Sequence, residues 1–385
     1  MSNLPKKKIV LIGPAYPYRG GNALFVSYLY DALQNHFDIK LINYSLLYPS
    51  LLFPGTTQFD ESRNVIKKAP SERLLSSVNP ITWLRVAVRI RTENPDLVIF
   101  DWWHPFFAPC HYSVSTLLGT AFKDKILFIT ENVISHEAKG IEKYLTRIGI
   151  SKASAFLALS DTVVQELRSY AAGKPVFKSE LPVYDCYDTV ADGSEGILPG
   201  HWNKDDRVLL FFGYVRKYKG LDILLESMKE LVQKDSRYRL LVVGEFYDSP
   251  KEYTGFAESM GLSASVHFIN KFIPNEEVGQ YYRLADVVVL PYRSATQSGI
   301  LNVAYGFRKP VIVTDVGGLA EFVDHGKTGL IVKEADAQQI AEGIEHFYAL
   351  KQSVSFATEI EKRSGENGFN RIPQTIDEII KELKQ

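Results

Sequence analysis

A chain of 385 residues exceeds one ordinary domain, so two domains are expected. With 44 Lys and Arg against 45 Asp and Glu the formal charge is −1, which excludes a general electrostatic attraction for nucleic acid. Two cysteines, Cys110 and Cys186, give neither a disulfide framework nor a zinc cluster, and no apolar run nears the ~20 residues of a membrane span.

In chain order, "KKIVLIG", "DIKLINY", "DLVIFDWW", "KILFIT" and "AFLALS" read as strands buried on both faces. Between them "ALFVSYLYDALQNH", "ITWLRVAVRIR" and "DTVVQELRSYA" repeat apolar residues at three- and four-residue steps, the helical period. Residues 185–206, "DCYDTVADGSEGILPGHWNKDD", lack period and read as a linker. The alternation then restarts with "RVLLFFG", "RLLVVG", "SVHFI", "DVVVLPY", "KPVIVTD" and "GLIV". The clearest helix is "LDILLESMKELVQK", with Leu221, Leu224, Leu225, Met228 and Leu231 on one face. Alternation of this kind predicts an α/β chain of two doubly wound, Rossmann-like domains, 1–185 and 206–370, facing across a cleft, leaving 371–385 as a terminal segment.

Open parallel sheets bind ligands at the carboxyl ends of their strands, so the strand-to-helix loops carry the chemistry. In "GPAYPYRGGNALF", Gly20 and Gly21 precede a helix, where backbone amides can face a ligand; a plain glycine turn reads equally well. The spacing does not match the three-glycine dinucleotide pattern, so a nicotinamide cofactor is disfavoured. In the second half, "FGYVRKYKGLD" sets Arg216 and Lys219 between a strand end and a helix start, a place where cations are unfavourable unless an anion joins them. A diphosphate suits that pair, Arg gripping two oxygens and Lys acting as a point charge. "SATQSGILNVA" has no acid or base, yet its Ser298, Gly299 and Ile300 read as a first helical turn whose free amides cradle an anion, with Thr296, Gln297 and Ser298 adding neutral donors.

"KPVIVTDVGGLAEFVDHGKTGLIV", with "FGYVRKYKGLDILLESM" and "NEEVGQYYRLADVVVLPY" before it, resembles the retaining, nucleotide-sugar-dependent glycosyltransferases of family 4. "GPAYPYRGG" and "ITENVISHE" resemble the same family more loosely. The resemblance implies a GT-B architecture, with a nucleoside-diphosphate sugar bound mainly to the second domain, the acceptor bound to the first, and the last helix crossing back to the first. It implies no metal and no cofactor beyond the nucleotide-sugar co-substrate.

Two departures stand out. Many family members carry two glutamates eight positions apart, and those positions here hold Ala295 and Val303; the chain resembles instead a subset with a Gln-Ser-Gly loop. Where relatives often have His-Asn, this chain has Glu131-Asn132, followed by His136-Glu137. Arg216, Lys219, Glu131 and His136 are therefore the expected catalytic groups. Gly20, Gly21, Thr296, Gln297, Ser298, Gly299, Ile300, Asn302 and Glu321 are the expected donor-binding groups; Asn302 stands in for the missing ribose ligand, and Glu321 reads as a helix cap or a sugar-hydroxyl ligand. His104 reads equally as substrate contact or structure, and His325 as structural.

The expected function is transfer of a sugar to a glycan or lipid-linked acceptor, against an epimerase of GT-B shape or a non-catalytic nucleotide-sugar-binding protein. The apolar stretch Leu46, Leu47, Tyr48, Leu51, Leu52 and Phe53, closed by Pro54-Gly55, with Trp83, Arg85, Arg89 and Arg91, reads either as core plus an ordinary helix or as a surface for an anionic membrane. The start "MSNLPKKK" has no signal-peptide core, so the expected location is cytoplasmic, peripheral at the inner face of the membrane.

Overall fold

Strands whose residues are apolar at every position need cover on both faces, and the structure, a computed structural model, supplies it twice. It describes residues 5–53, 57–134, 140–187, 199, 201–247 and 249–385. The chain divides into two units: Met1–Asp60 with Lys67–Pro182 and Gly368–Gln385, and Glu61–Ile66 with Val183–Asn367.

The first unit runs β1 (Lys8–Ile12), α1 (Gly21–Gln34), β2 (Asp38–Leu46), β3 (Glu72–Ser76), α2 (Pro80–Glu93), β4 (Leu97–Trp102), α3 (Ala108–Leu118), β5 (Ile126–Thr130), α4 (Gly140–Gly149), β6 (Ala155–Ala158), α5 (Asp161–Tyr170) and β7 (Val176–Lys178). These strands form one parallel sheet in the order β3-β2-β1-β4-β5-β6-β7. The two-residue period of a strand sends Val10 and Ile12 into a core with Phe100, Phe128 and Phe156. It sends Ile9 and Leu11 into a second core with Ile99, Leu127 and Ile129.

The second unit runs β8 (Arg207–Phe212), α6 (Leu221–Lys234), β9 (Tyr238–Val243), α7 (Pro250–Ser259), β10 (Val266–Ile269), α8 (Asn275–Leu284), β11 (Val287–Leu290), α9 (Gly299–Gly306), β12 (Val311–Thr314), β13 (Gly329–Val332), α10 (Ala337–Leu350) and α11 (Phe356–Gly365). Its six strands are parallel in the order β10-β9-β8-β11-β12-β13. The five apolar residues read on one face of α6 are all buried.

The last helix, α12 (Ile372–Glu382), belongs to the first unit: Ile372, Ile376, Ile379 and Ile380 lie in the core that holds Ile9 and Leu11. Lys7 to Asp377 at 2.5 Å and Lys384 to Asp96 at 2.9 Å pin it there.

Three features differ from the sequence reading. The strands β3 and β7 and the helices α3, α4, α7, α10 and α11 went unread. Residues 61–66, read as part of 1–185, pack with the second unit: Glu276 of α8 accepts from the Arg63 amide at 3.2 Å, and the Asn275 amide donates to Ser62 Oγ at 2.9 Å. That docking is polar and leaves no hydrophobic period to read. The second unit also ends at Asn367 instead of 370. Of the expected linker, residues 188–198 and 200 lie outside the described residues. Among the described residues, no helix is long and apolar enough to cross a membrane.

Candidate functional site

The β8–α6 connection folds as a short 3-10 turn, Lys217–Lys219, closed by Gly220 at φ 69. Only glycine suits that position, because a β-carbon would come 2.0 Å from the Pro291 carbonyl oxygen as well as demanding a left-handed backbone. The close approach seats the turn on the end of β11. Lys219 is thereby only 8% exposed. Its ammonium lies 5.6 Å from the centre of the Tyr292 ring, and among the described residues no carboxylate pairs with it. Burial, and then the Arg216 charge, push its pKa down to about 8. Arg216 stacks over Tyr247 at 4.3 Å, with its Nε buried and unpaired.

Beside this pair lies the loop of small polar residues. A β-carbon on Gly213 would meet both Lys219 Nζ at 3.5 Å and Ile300 Cδ1 at 3.1 Å, so the ammonium and the second residue of α9 converge on one spot. Ser298 is the N-cap of α9, not part of its first turn as the sequence reading had it. The first turn is Gly299, Ile300 and Leu301, whose amides lack helical partners. Ser298 makes no side-chain capping bond; it stands beside Tyr292, whose pKa burial raises. Gly299 leaves the approach open, the nearest neighbour of a hypothetical β-carbon being Tyr184 at 3.7 Å. Thr296 is 5% exposed and Gln297 is half-buried.

Asn302 is turned to a structural task. Its side-chain amide donates to the Ser298 carbonyl at 3.3 Å, and its own carbonyl accepts from the Tyr184 amide at 3.2 Å. Ala295 and Val303 are buried apolar residues, as their sequence implies. Glu321 does not cap a helix: it is the middle residue of a three-residue 3-10 turn, Ala320–Phe322, whose cap position is Leu319. The capping reading is thus corrected.

The remaining candidates stand in the first unit. Gly20, at φ 102, caps α1, and neither it nor Gly21 has any atom within 4 Å of a would-be β-carbon, so both offer open backbone. Asn22, the next residue, donates to Glu131 Oε1 at 2.8 Å. The structure therefore joins the glycine pair and Glu131, which the sequence showed only as separate motifs. Burial raises the Glu131 pKa to about 7, against the hydrogen bond from Asn22 and the influence of the neighbouring Asp101 carboxyl. Asp101, fully buried at the end of β4, is raised as well, by burial and then by the Glu131 carboxyl.

His136 lies outside the described residues. His104 caps the short turn Pro105–Phe107 through Nδ1, which accepts from the Phe106 amide at 3.1 Å. His325 Nδ1 accepts from the Ile331 amide at 3.0 Å. Among the described residues no group of three or more His, Cys, Asp or Glu gathers as a metal ion would require.

The expected apolar and basic surface divides. Leu47 and Tyr48 face inward, Tyr48 bonding the Trp103 indole at 3.1 Å, and Trp83 donates to the Ser76 carbonyl at 2.7 Å. Leu51 and Leu52 are exposed, while Pro54-Gly55 lies outside the described residues. Arg89 is spent on Glu72 and Glu93, and Arg91 on the Leu118 carbonyl, while Arg85 is exposed and has no partner among the described residues.

Sequence reasoning missed three residues. Tyr247 stacks on Arg216, Asp101 stands beside Glu131, and Arg293 binds the turn of Lys219. For Arg293 and Asp101 a signal existed: a charge at or just past the end of an otherwise apolar strand run.

Residues 206–349 match the family of glycosyl transferases group 1. The D-inositol 3-phosphate glycosyltransferase of Corynebacterium aurimucosum is 33% identical over 144 residues, 36% of this chain and 34% of that protein. The alpha-D-kanosaminyltransferase of Streptomyces kanamyceticus is 25% identical over 210 residues, 53% of this chain and 54% of that one. The chain thus spans about a third to a half of the length of these curated relatives. Sucrose-phosphate synthase from Thermosynechococcus elongatus matches with TM-score 0.71 at 16% identity, over 98% of this chain and 99% of its own. Anabaena HepE in complex with UDP matches with TM-score 0.71 at 15% identity, over 98% and 100%. Residues 206–349 accordingly resemble the glycosyl transferases group 1, and the chain as a whole has the fold of two parallel-sheet, Rossmann-like domains known as GT-B.

Proposed function

We propose that the chain is a retaining glycosyltransferase of the Gln-Ser-Gly subset, moving a sugar from a nucleoside-diphosphate sugar to a hydroxyl of a glycan or lipid-linked acceptor. The observation that carries this reading is Lys219: a buried ammonium with no carboxylate partner among the described residues, beside Arg216 and the open first turn of α9. Such a cluster is electrostatically incomplete until an anion arrives, and a diphosphate completes it. The relatives and the UDP-bound Anabaena protein support a nucleotide sugar as the donor.

In this reading the bond from the sugar's anomeric carbon to the diphosphate breaks first, through an oxocarbenium-like state. The acceptor hydroxyl attacks from the same face, and its proton passes to the departing phosphate oxygen. The protein's task is to hold donors where negative charge grows, with Arg216, Lys219 and the amides of Gly299 and Ile300 in place before reaction. No metal is required in this scheme. Glu131 and His136 remain the proposed acceptor-side groups, and Gly20-Gly21 the backbone that lets substrate approach α1.

A lipid-linked acceptor at an anionic membrane is supported by apolar side chains left in water. Leu51 is 97% exposed, and Ile81, Leu84 and Val88 of α2, spaced three and four apart, are 63, 53 and 52% exposed.

The test is incubation of the protein with a panel of nucleotide sugars, with and without lipid extract and with and without EDTA. Acceptor-dependent release of nucleoside diphosphate, with retained anomeric configuration in the product, is expected in every EDTA arm. Free isomerised sugar without acceptor would mean an epimerase, and binding without turnover a non-catalytic protein. Loss of activity in EDTA that metal restores would refute the metal-free scheme.

A further inference from the structure

We propose that Arg293 is a positioning residue that locks the turn carrying Lys219 to the loop ahead of α9, so that ammonium and helix amides meet the same anion. The inference rests on the diphosphate reading above and names how that site is held.

Arg293 is the third residue past β11 and opens the 293–298 loop. Its backbone amide donates to the Tyr218 carbonyl at 2.7 Å. Its Nη1 donates to the Lys217 carbonyl at 2.9 Å and to Asp222 Oδ1 at 2.8 Å, and its Nη2 donates to Asp222 Oδ2 at 2.7 Å. Asp222 is the second residue of α6. Backbone amide and side chain of this one residue thus hold two consecutive carbonyls of the turn, the side chain taking that of Lys217 together with the helix start just beyond it. Within the turn, the amides of Lys219 and Gly220 close back, on Arg216 and Lys217. The Arg293 contacts add a clamp from outside the turn to the element that carries the buried ammonium.

The planar fork matters here. Arginine matches the carboxylate with two parallel bonds and has donors left for a carbonyl, which lysine lacks in fixed geometry. With both terminal nitrogens so engaged, Arg293 acts through Lys219 and not on the ligand itself. The Arg293 and Asp222 side chains are 37% and 38% exposed. An ion pair that open contributes little to global stability, so losing it should be felt in the site and not in the fold.

The experiment is a double-mutant cycle between Arg293→Met and Lys219→Met, read by calorimetric titration with UDP, GDP and ADP and by kcat and KM with the active donor. Each single variant should weaken nucleoside diphosphate binding about tenfold or more, and Arg293→Met should leave the melting temperature unchanged. Added to Lys219→Met, Arg293→Met should cost little further, since its effect runs through that ammonium. Equal costs in both backgrounds, or unchanged binding in Arg293→Met alone, would overturn the positioning role while leaving the diphosphate site standing. Unchanged binding in Lys219→Met would refute the diphosphate reading itself, and the positioning role with it. If Arg293→Met does not fold, Asp222→Asn releases the same fork, and the same cycle applies to it.

Discussion

The Arg216 guanidinium lies 4.3 Å from the centre of the Tyr247 ring, with its Nε buried and without a hydrogen-bond partner. In the proposed reading the ring steadies a cation whose donors serve the diphosphate. Removing a donor to developing charge typically costs about 10²–10³ in rate, so Arg216→Ala should lose that much activity and keep its fold. Tyr247→Ala removes only the support. A cation–π contact at an exposed site contributes about 0.5–1 kcal/mol, so roughly two- to fivefold is expected. Steady-state rates on both variants decide, and an unaltered rate constant for Arg216→Ala would remove it from the mechanism.

Lys219 makes donor binding depend on pH in a defined sense. Its pKa stands at about 8 in the free protein, lowered by burial and then by Arg216. A bound diphosphate favours the charged form, so binding above that pH must take up a proton. Affinity should therefore fall as pH rises from 7 to 9.5, by about tenfold or more, each pH unit costing at most tenfold. Lys219→Arg stays charged and should bind with a flat profile over the same range. Stability moves oppositely: between about pH 8 and 10.4 the unfolded chain holds more protons than the native one, so this group makes stability rise with pH. Parallel affinity profiles for wild type and Lys219→Arg would count against Lys219 as the anion's ligand.

Gly299 and Asn302 should separate the two tasks of the 296–302 segment. Gly299→Val sets a branched side chain over the amides of the first turn and should abolish nucleoside diphosphate binding. Asn302→Ala releases the bond to the Ser298 carbonyl, a net loss of about 0.5–1.5 kcal/mol. It should therefore weaken binding by about tenfold at most, through a looser loop. Calorimetry on both variants is the measurement. Wild-type affinity in Gly299→Val would show that the small polar loop is not the anion cradle.

Legibility in the sequence followed hydrophobic period. The six strands of the second unit are all apolar runs flanked by loops, and α6 ends where its stripe ends, so both were readable. The strand β3, "ERLLS", lies at the sheet edge with only its last two residues buried, and leaves no such run. The site was readable where chemistry is local. Arg216 and Lys219 stand out because cations are costly beside a helix start. Partnership across loops was not readable: the Asn302 bond to Ser298, the Arg293 fork on Asp222 and the Asp101 neighbour of Glu131 follow from packing, which no spacing encodes. The helix-cap reading of Glu321 failed for a different reason, since "GGLAEF" starts like a helix but stops after a single 3-10 turn.

The buried carboxyl of Glu131 should leave a signature in stability. Its pKa is raised by burial to about 7, although the Asn22 amide and the neighbouring Asp101 favour its ionised form. Asp101 is itself raised, and Tyr48 is the further titratable group that feels Glu131. An unfolded glutamate titrates near 4.3, so between about pH 4.3 and 7 the native chain holds the extra proton. Stability must then fall as pH rises through that window and stay lower above it, since the native state binds more protons than the unfolded one. Glu131→Gln can keep the bond from the Asn22 amide at its carbonyl oxygen while removing the ionisation. Its melting temperature should match wild type near pH 4.5 and exceed it near pH 8, with Asp101 leaving a residual slope in both proteins. Thermal melts at a series of pH values measure this directly. Curves for the two proteins that run parallel from pH 4.5 to 8 would mean that Glu131 is already ionised in the native state, and the buried carboxyl pair with Asp101 would have to be abandoned.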